Sequence, residues 1–194
     1  MKLILASASP RRAEILRDAG VPFTVVSSAV DETPYPGEAS QALVQRLADV
    51  KADLVAARAV GPAIVIAADT AVVLDGQVLG KPRSTEDARH MLEQLSGRTH
   101  SVHTGVSLIR LPDAERVRFV ETTLVHFSRL TPEEISRYLA TEEPYDKAGA
   151  YAIQGRAGRF IPRIEGCYNN VVGLPLDHVL AALRELGWKE DEPL

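Results

Sequence analysis

The chain of 194 residues contains one cysteine, Cys167. A single thiol excludes an intramolecular disulfide framework and a cysteine-rich zinc module, and it is the usage of a protein kept in a reducing cytoplasm. Basic residues are not in excess either: 22 Lys plus Arg stand against 26 Asp plus Glu, a formal net charge of -4. That balance supplies no overall field for a polyanion, so a nucleic-acid binder is not expected, whereas a local basic pocket for a small anion is compatible with it. No stretch approaches the roughly 18 apolar residues that span a bilayer, and the run from Met1 to Ala6 is too short for a secretory segment before Arg11 and Arg12 intervene. The expectation is a soluble cytoplasmic protein with no membrane partner. Hydrophobic residues make up 45% of the chain, enough for a substantial core without metal or disulfides.

The apolar pattern predicts an α/β chain. Leu3 to Ala6 reads as a short buried strand, and Ser9-Pro10 opens a helix that Gly20 stops, because proline at the first helical position gives up no hydrogen bond. Phe23 to Ser27 reads as a second strand and 28–38 as an irregular loop. Ser40 is expected to cap a helix reaching about residue 60, with Leu43, Leu47, Val50, Leu54 and Ala57 inward. Ala63 to Ala68 reads as a core strand that ends at Asp69-Thr70, followed by Ala71 to Leu74 and the hairpin signal Asp75-Gly76. Ser84 with Asp87 resembles a capping box ahead of Ala88, Met91, Leu92 and Leu95. His100 to Leu111 and Val117 to Leu130 predict a long antiparallel pair, and Thr131-Pro132-Glu133-Glu134 starts a helix with Ile135, Tyr138 and Leu139 inward. Tyr145 to Gly155 is expected as loop and strand, 155–159 as a flexible loop and Phe160 to Ile164 as a strand. A last helix carries Leu176, Val179, Leu180, Leu183 and Leu186, and a tail at 190–194 should fray. Hairpins beside helices require a mixed rather than a purely parallel sheet.

Several residues have types and places suited to chemistry. Ser7-Ala8-Ser9-Pro10-Arg11-Arg12 stands where a strand feeds a helix, so amides, hydroxyls and two guanidinium groups can cradle phosphate; the same residues also make an ordinary cap with two solvated arginines. Asp69 at the end of a core strand is costly unless hydrogen-bonded or bound to a cation. Asp31 and Glu32, in a proline-bounded loop, can join it around a hard divalent ion or remain surface carboxylates. Lys51 lies at a core edge, where it either reaches a ligand or snorkels. Lys81 follows Gly80 on a restrained turn, but no complete P-loop sequence is present. Lys147 sits among small residues. His100 and His103, three apart in a strand, face opposite sides and do not make a metal pair. Cys167 reads as a small core residue.

In order along the chain, Leu5-Ala6-Ser7-Ala8-Ser9-Pro10-Arg11-Arg12, Arg46-Leu47-Ala48 with Lys51-Ala52, Ala68-Asp69-Thr70, Gly80-Lys81-Pro82, Ser96-Gly97-Arg98-Thr99-His100, Asp146-Lys147-Ala148-Gly149-Ala150-Tyr151-Ala152-Ile153-Gln154-Gly155 and Val171-Val172-Gly173-Leu174-Pro175-Leu176 resemble the Maf family of nucleoside triphosphate pyrophosphatases, once described as septum-formation inhibitors. The resemblance covers nearly the whole chain as a single domain, 1–194. It implies an elongated mixed β-sheet flanked by helices, with two lobes around a central cleft. It implies hydrolysis of a nucleoside triphosphate between the α and β phosphates with a divalent cation, Mg²⁺, Mn²⁺ or Co²⁺. The family's catalytic carboxylate maps to Asp69, its phosphate-binding positions to Ser7, Arg11, Arg12, Lys51 and Lys81, and a further acidic position to Glu32; Asp69 and Glu32 are the metal candidates. Lys147 and the Tyr151-to-Gln154 pattern resemble the subgroup acting on dTTP and UTP, in which positions matching Arg11, Thr70 and Gln154 are associated with selectivity. Asn169-Asn170 departs from a commoner Ser-Asn pair.

The implied chemistry leaves Asp69 as proton acceptor or as metal ligand, with arginine and lysine stabilising the leaving pyrophosphate. Small-molecule nucleotides are the implied partners, without nucleic acid or membrane, and a homodimer is left open. A non-catalytic nucleotide sensor linked to septum formation is the alternative that motifs alone do not separate.

Overall fold

Apolar strands and amphipathic helical stripes alternate along the computed structural model, which describes residues 1–189; the tail expected at 190–194 lies outside the described residues. The order is β1 (Lys2–Leu5), α1 (Pro10–Asp18), β2 (Thr24–Val25), α2 (Ser40–Ala56), β3 (Ala63–Leu74), β4 (Gln77–Leu79), α3 (Thr85–Leu95), β5 (Thr99–Leu111), β6 (Glu115–His126), α4 (Pro132–Leu139), β7 (Arg163–Glu165), α5 (Tyr168–Val172) and α6 (Leu176–Glu185). The strand order is β2-β1-β3-β5-β6-β7, with β4 also paired to β3. The chain divides into two compact units, the first from Met1–Thr70, Thr104–Glu121 and the residues from Gly173 onward, the second from Ala71–His103 and Thr122–Val172. No helix among the described residues is long and apolar enough to cross a membrane.

In the first unit, β1 runs parallel to β2 and to β3, with Leu3 opposite Ile64 and Leu5 opposite Ile66. Parallel neighbours need crossover connections, and α1 and α2 are those crossovers. Ala6, Ala52, Val55, Val65, Ala67 and Ile109 pack together as a core between helix and sheet. Gly105 on β5 permits the close approach: a Cβ there would lie 2.4 Å from the carbonyl carbon and oxygen of Val44 on α2. The inward stripe of α2 is Leu43, Val44, Leu47, Ala48, Lys51, Ala52 and Val55, while Val50 and Ala57 are exposed. This corrects the expected stripe, which treated Lys51 as a boundary residue; small Ala48 and Ala52 let the helix lie flat and turn Lys51 inward. Ser40 is not the cap. Ala39 occupies the N-cap position without a side-chain bond, and the helix stops at Ala56.

In the second unit, Asp75 and Gly76 take φ of 51° and 78°, and β4 folds back on β3 with Leu74 opposite Gln77. Ser84 accepts the Asp87 N–H at 3.1 Å, but the Asp87 carboxylate accepts from Arg83 N–H, so the box is displaced by one residue. Thr131 and Glu134 form a complete capping box on α4. β5 and β6 are neighbours joined by only 112–114, a connection short enough for an antiparallel pair alone. Three expectations fail here. β6 ends at His126, well before Leu130; 145–155 contains turns and a 3-10 turn at Ala148–Ala150 but no strand; and 156–160 is a 3-10 turn that buries Ala157 and Phe160. Because Phe160 closes that turn against Tyr138, with ring centroids 5.6 Å apart, the following strand starts only at Arg163. Cys167 is half-buried rather than core. Asn170 Nδ2 donates to Val102 O at 3.0 Å and to Thr123 Oγ1 at 2.9 Å, and the departure from the commoner Ser-Asn pair lies at Asn169.

His100 is 3% exposed, with Nε2 2.7 Å from Tyr151 OH and its ring edge-on to Phe127. Burial lowers its pKa from 6.5 to about 4. The unfolded chain therefore binds a proton at this residue from about pH 6.5 downward while the folded protein resists, so stability is lost as pH falls through that window. At pH 5 the cost is about 2 kcal/mol, or roughly 4–8 °C in Tm for a chain of this size. The Tm of the wild type should fall from pH 7 to pH 5 by that much more than the Tm of His100→Gln; equal slopes in the two proteins would remove this account of His100.

Candidate functional site

The sequence surroundings of Asp69 predict a strand end there, and the structure corrects this. The residue lies inside the continuous twelve-residue β3, where burial falls off only at Asp69 and Thr70. Consecutive strand side chains leave opposite faces, so Asp69 meets Lys51 of α2 whereas Thr70 meets Arg12 of α1 and Thr104 of β5. Lys51 Nζ donates to Asp69 Oδ1 and to Glu32 Oε1, each at 2.6 Å. The Lys51 and Asp69 side chains are 8% and 14% exposed, while Glu32 is 60% exposed, so the cluster opens toward solvent on its Glu32 side. Burial raises the Asp69 pKa, opposed by the charge and hydrogen bond of Lys51 and by the charge of Arg12. A carboxylate in that state is a better proton acceptor than one in water, and its nearest cation is already supplied by the protein.

Arg12 is buried, which corrects the picture of two solvated arginines. Its Nε donates to Gly173 O at 2.8 Å, Nη1 to Ser7 Oγ at 3.2 Å and Nη2 to Thr70 Oγ1 at 3.0 Å. The guanidinium thus pins α1 to β3 and to the turn before α6, and burial lowers its pKa. Gly173 takes φ of 130°, a conformation that favours glycine, and so turns its carbonyl to Arg12. Thr70 Oγ1 is 2.9 Å from Thr104 Oγ1, so Thr70 is engaged within the protein. Ser7 accepts the Ser9 N–H at 3.1 Å, and Ser9 makes no side-chain cap. Arg11 is half-buried beside it on α1.

Asp31 does not join Asp69. Its carboxylate accepts the N–H and hydroxyl of Thr33, which holds its pKa below the usual range. Among the described residues no group of three or more His, Cys, Asp and Glu side chains is arranged to hold a metal. Two carboxylates nevertheless converge on one cationic atom, Lys51 Nζ. A hard divalent ion needs only one or two carboxylates when waters and substrate phosphates complete its shell. Asp69 and Glu32 can supply those two carboxylates, but they do not make an all-protein cage.

Lys81 and Gln154 belong to the second unit and are both exposed. Gly80 O accepts from Gly149 N–H at 3.0 Å, tying the Lys81 turn to the segment that carries Lys147 and Gln154. Lys147 Nζ donates to Glu143 O at 3.1 Å and Asp146 Oδ1 at 2.5 Å, so it serves its own loop. Sequence reading missed the role of Arg46. Its guanidinium grips Glu38 at 2.6 and 2.7 Å, reaches Thr33 O and stacks over Tyr35, fixing the loop that delivers Glu32. The fork holds the Glu38 pKa down to about 2. The signal was available as Glu38 eight residues before a motif arginine, but nothing local pairs them.

The Maf-like protein family model matches residues 2–186. A dTTP/UTP pyrophosphatase of Syntrophus aciditrophicus is 50% identical over 186 residues, covering 96% of this chain and 90% of that protein. A dTTP/UTP pyrophosphatase of Anaeromyxobacter sp. is 52% identical over 189 residues, covering 96% and 90%. Among solved structures, the Staphylococcus aureus Ham1 protein superposes with a TM-score of 0.52 at 16% identity over 96% of this chain and 100% of that one, a likeness of fold.

Proposed function

Since the chain belongs to the Maf family, we propose that it hydrolyses dTTP and UTP between the α and β phosphates, giving the monophosphate and pyrophosphate. The observation that carries this reading is the convergence of Asp69 and Glu32 on Lys51 beside the buried Arg12. A water oxygen bonds to the α phosphorus as the bridging bond to the β phosphate breaks, and pyrophosphate leaves with the electron pair. Asp69 has two carboxylate oxygens, one for a cation and one for the proton of the attacking water. When bound, Mg²⁺, Mn²⁺ or Co²⁺ supplies neutralisation of the triphosphate charge, and Asp69 and Glu32 would hold it. Lys51, Arg12, Ser7 and Lys81 meet the phosphate oxygens, where positive charge counts most as pyrophosphate departs. Arg11, Thr70 and Gln154 select the base. The acidic balance and single cysteine favour a cytoplasmic enzyme acting on free nucleotides without nucleic acid or membrane, alone or as a homodimer.

Phosphate release in a pyrophosphatase-coupled assay, run over all common NTPs and dNTPs, tests this reading. Turnover of dTTP and UTP should exceed that of the purine nucleotides, vanish with EDTA and return with Mg²⁺, Mn²⁺ or Co²⁺. Inactivity over the whole metal panel would contradict the assignment.

A further inference from the structure

The segment following α4 carries both Lys147 and Gln154, and one carboxylate fastens it. Glu143 Oε1 accepts from Tyr138 OH at 2.9 Å and from Ala157 N–H at 3.3 Å, and Oε2 accepts from Arg156 N–H at 2.9 Å. The two amides open the 3-10 turn at Arg156–Phe160, where N-terminal N–H groups have no partner within the turn. The Glu143 main-chain carbonyl meanwhile accepts from Lys147 Nζ at 3.1 Å. The carboxylate lies flat against Gly155: a Cβ there would fall 2.4 Å from Glu143 Cδ and from both oxygens. The chain from 143 to 157 is thereby closed into a ring, and Gln154 stands two residues before the first clasped amide. Gln154 is exposed, so the placement of its amide is inherited from the backbone beneath it.

We propose that Glu143 is a positioning residue for base selection: by clasping the Arg156 and Ala157 amides against Gly155, it fixes the backbone that presents Gln154 to the nucleotide. This rests on the reading that Gln154 meets the base. Both carboxylate oxygens are needed, because a glutamine would set an NH₂ donor against one of the three donors. A preclosed ring removes the ordering cost that a loose loop would incur when nucleotide binds, and so the effect belongs in KM and selectivity.

Two variants remove the clasp by different routes. Glu143→Ala deletes the carboxylate. Gly155→Ala leaves it in place chemically but evicts it, because the new Cβ overlaps the carboxylate end of the Glu143 side chain. In both, NMR-detected exchange of the Arg156 and Ala157 amides should quicken by about tenfold or more. The dTTP-to-GTP ratio of kcat/KM should fall about tenfold, chiefly through KM for dTTP, with kcat falling less than about threefold. In a Gln154→Ala background, adding Glu143→Ala should move the ratio no further. Unchanged exchange in both variants overturns the clasp, and an unchanged ratio in both while Gln154→Ala alone lowers it overturns the positioning role. A ratio that falls equally with or without Gln154 means general loosening and overturns it too. If exchange quickens but Gln154→Ala alone leaves the ratio at its wild-type value, base reading by Gln154 is what fails, and the selectivity role of Glu143 falls with it.

Discussion

Asp69→Asn is expected to lower kcat for dTTP by at least about 100-fold, the range for loss of a positioned proton-transfer group, while the protein stays folded. Asparagine has the same size, and its Oδ1 can still accept from Lys51 Nζ, which Asp69 now contacts at 2.6 Å. Lys51 also keeps Glu32, so the buried ammonium is not stranded. What disappears is the negative charge, and with it both proton acceptance and attraction for a divalent ion. Circular dichroism and Tm must accompany the kinetics. A folded variant with near-normal turnover would move the catalytic role elsewhere, first to Glu32.

Gln154→Ala is expected to act on selectivity rather than on hydrolysis in general. A glutamine amide can donate to a pyrimidine carbonyl and accept from the ring N3–H, matching the edge that uracil and thymine share. Losing it should cost about 1–3 kcal/mol once the base partner is buried and unpaired, or roughly 5- to 150-fold in kcat/KM for dTTP relative to GTP. Lys81→Ala is the control, because losing a cation proposed to face phosphate should weaken action on every triphosphate alike. Arg12→Ala is a poorer control than its motif position suggests: the guanidinium holds Gly173, Ser7 and Thr70, so its removal should also cost at least about 2 kcal/mol of stability. Measuring kcat/KM for dTTP, UTP, CTP and GTP in wild type, Gln154→Ala and Lys81→Ala separates the two roles. A dTTP-to-GTP ratio unchanged in Gln154→Ala, or moved as far by Lys81→Ala, would end the division of labour.

Elements defined by local chemistry were legible in the sequence. The Asp75-Gly76 turn, the Thr131 capping box and the buried face of α3 depend on residues within a few positions of one another. The α2 stripe was misplaced because a buried lysine looks like a surface residue until its partners, 18 and 19 positions away, are known. Asp69 read as a strand end because a charge normally interrupts a core strand; the ammonium of Lys51 is what lets β3 continue through it. Arg12 was legible as a phosphate candidate but not as a pin, since Gly173 lies 161 residues away. The turns around Glu143 escaped altogether, because that carboxylate organises amides 13 and 14 residues further on through contacts with no sequence period.

The bond that breaks is the central claim, and the first product formed from dTTP tests it most directly. Ion-exchange chromatography of an early time point, with Mg²⁺ present and no coupling enzyme, should show dTMP and pyrophosphate in equal amounts with no dTDP. Release of dTDP and orthophosphate as the first products would contradict the account.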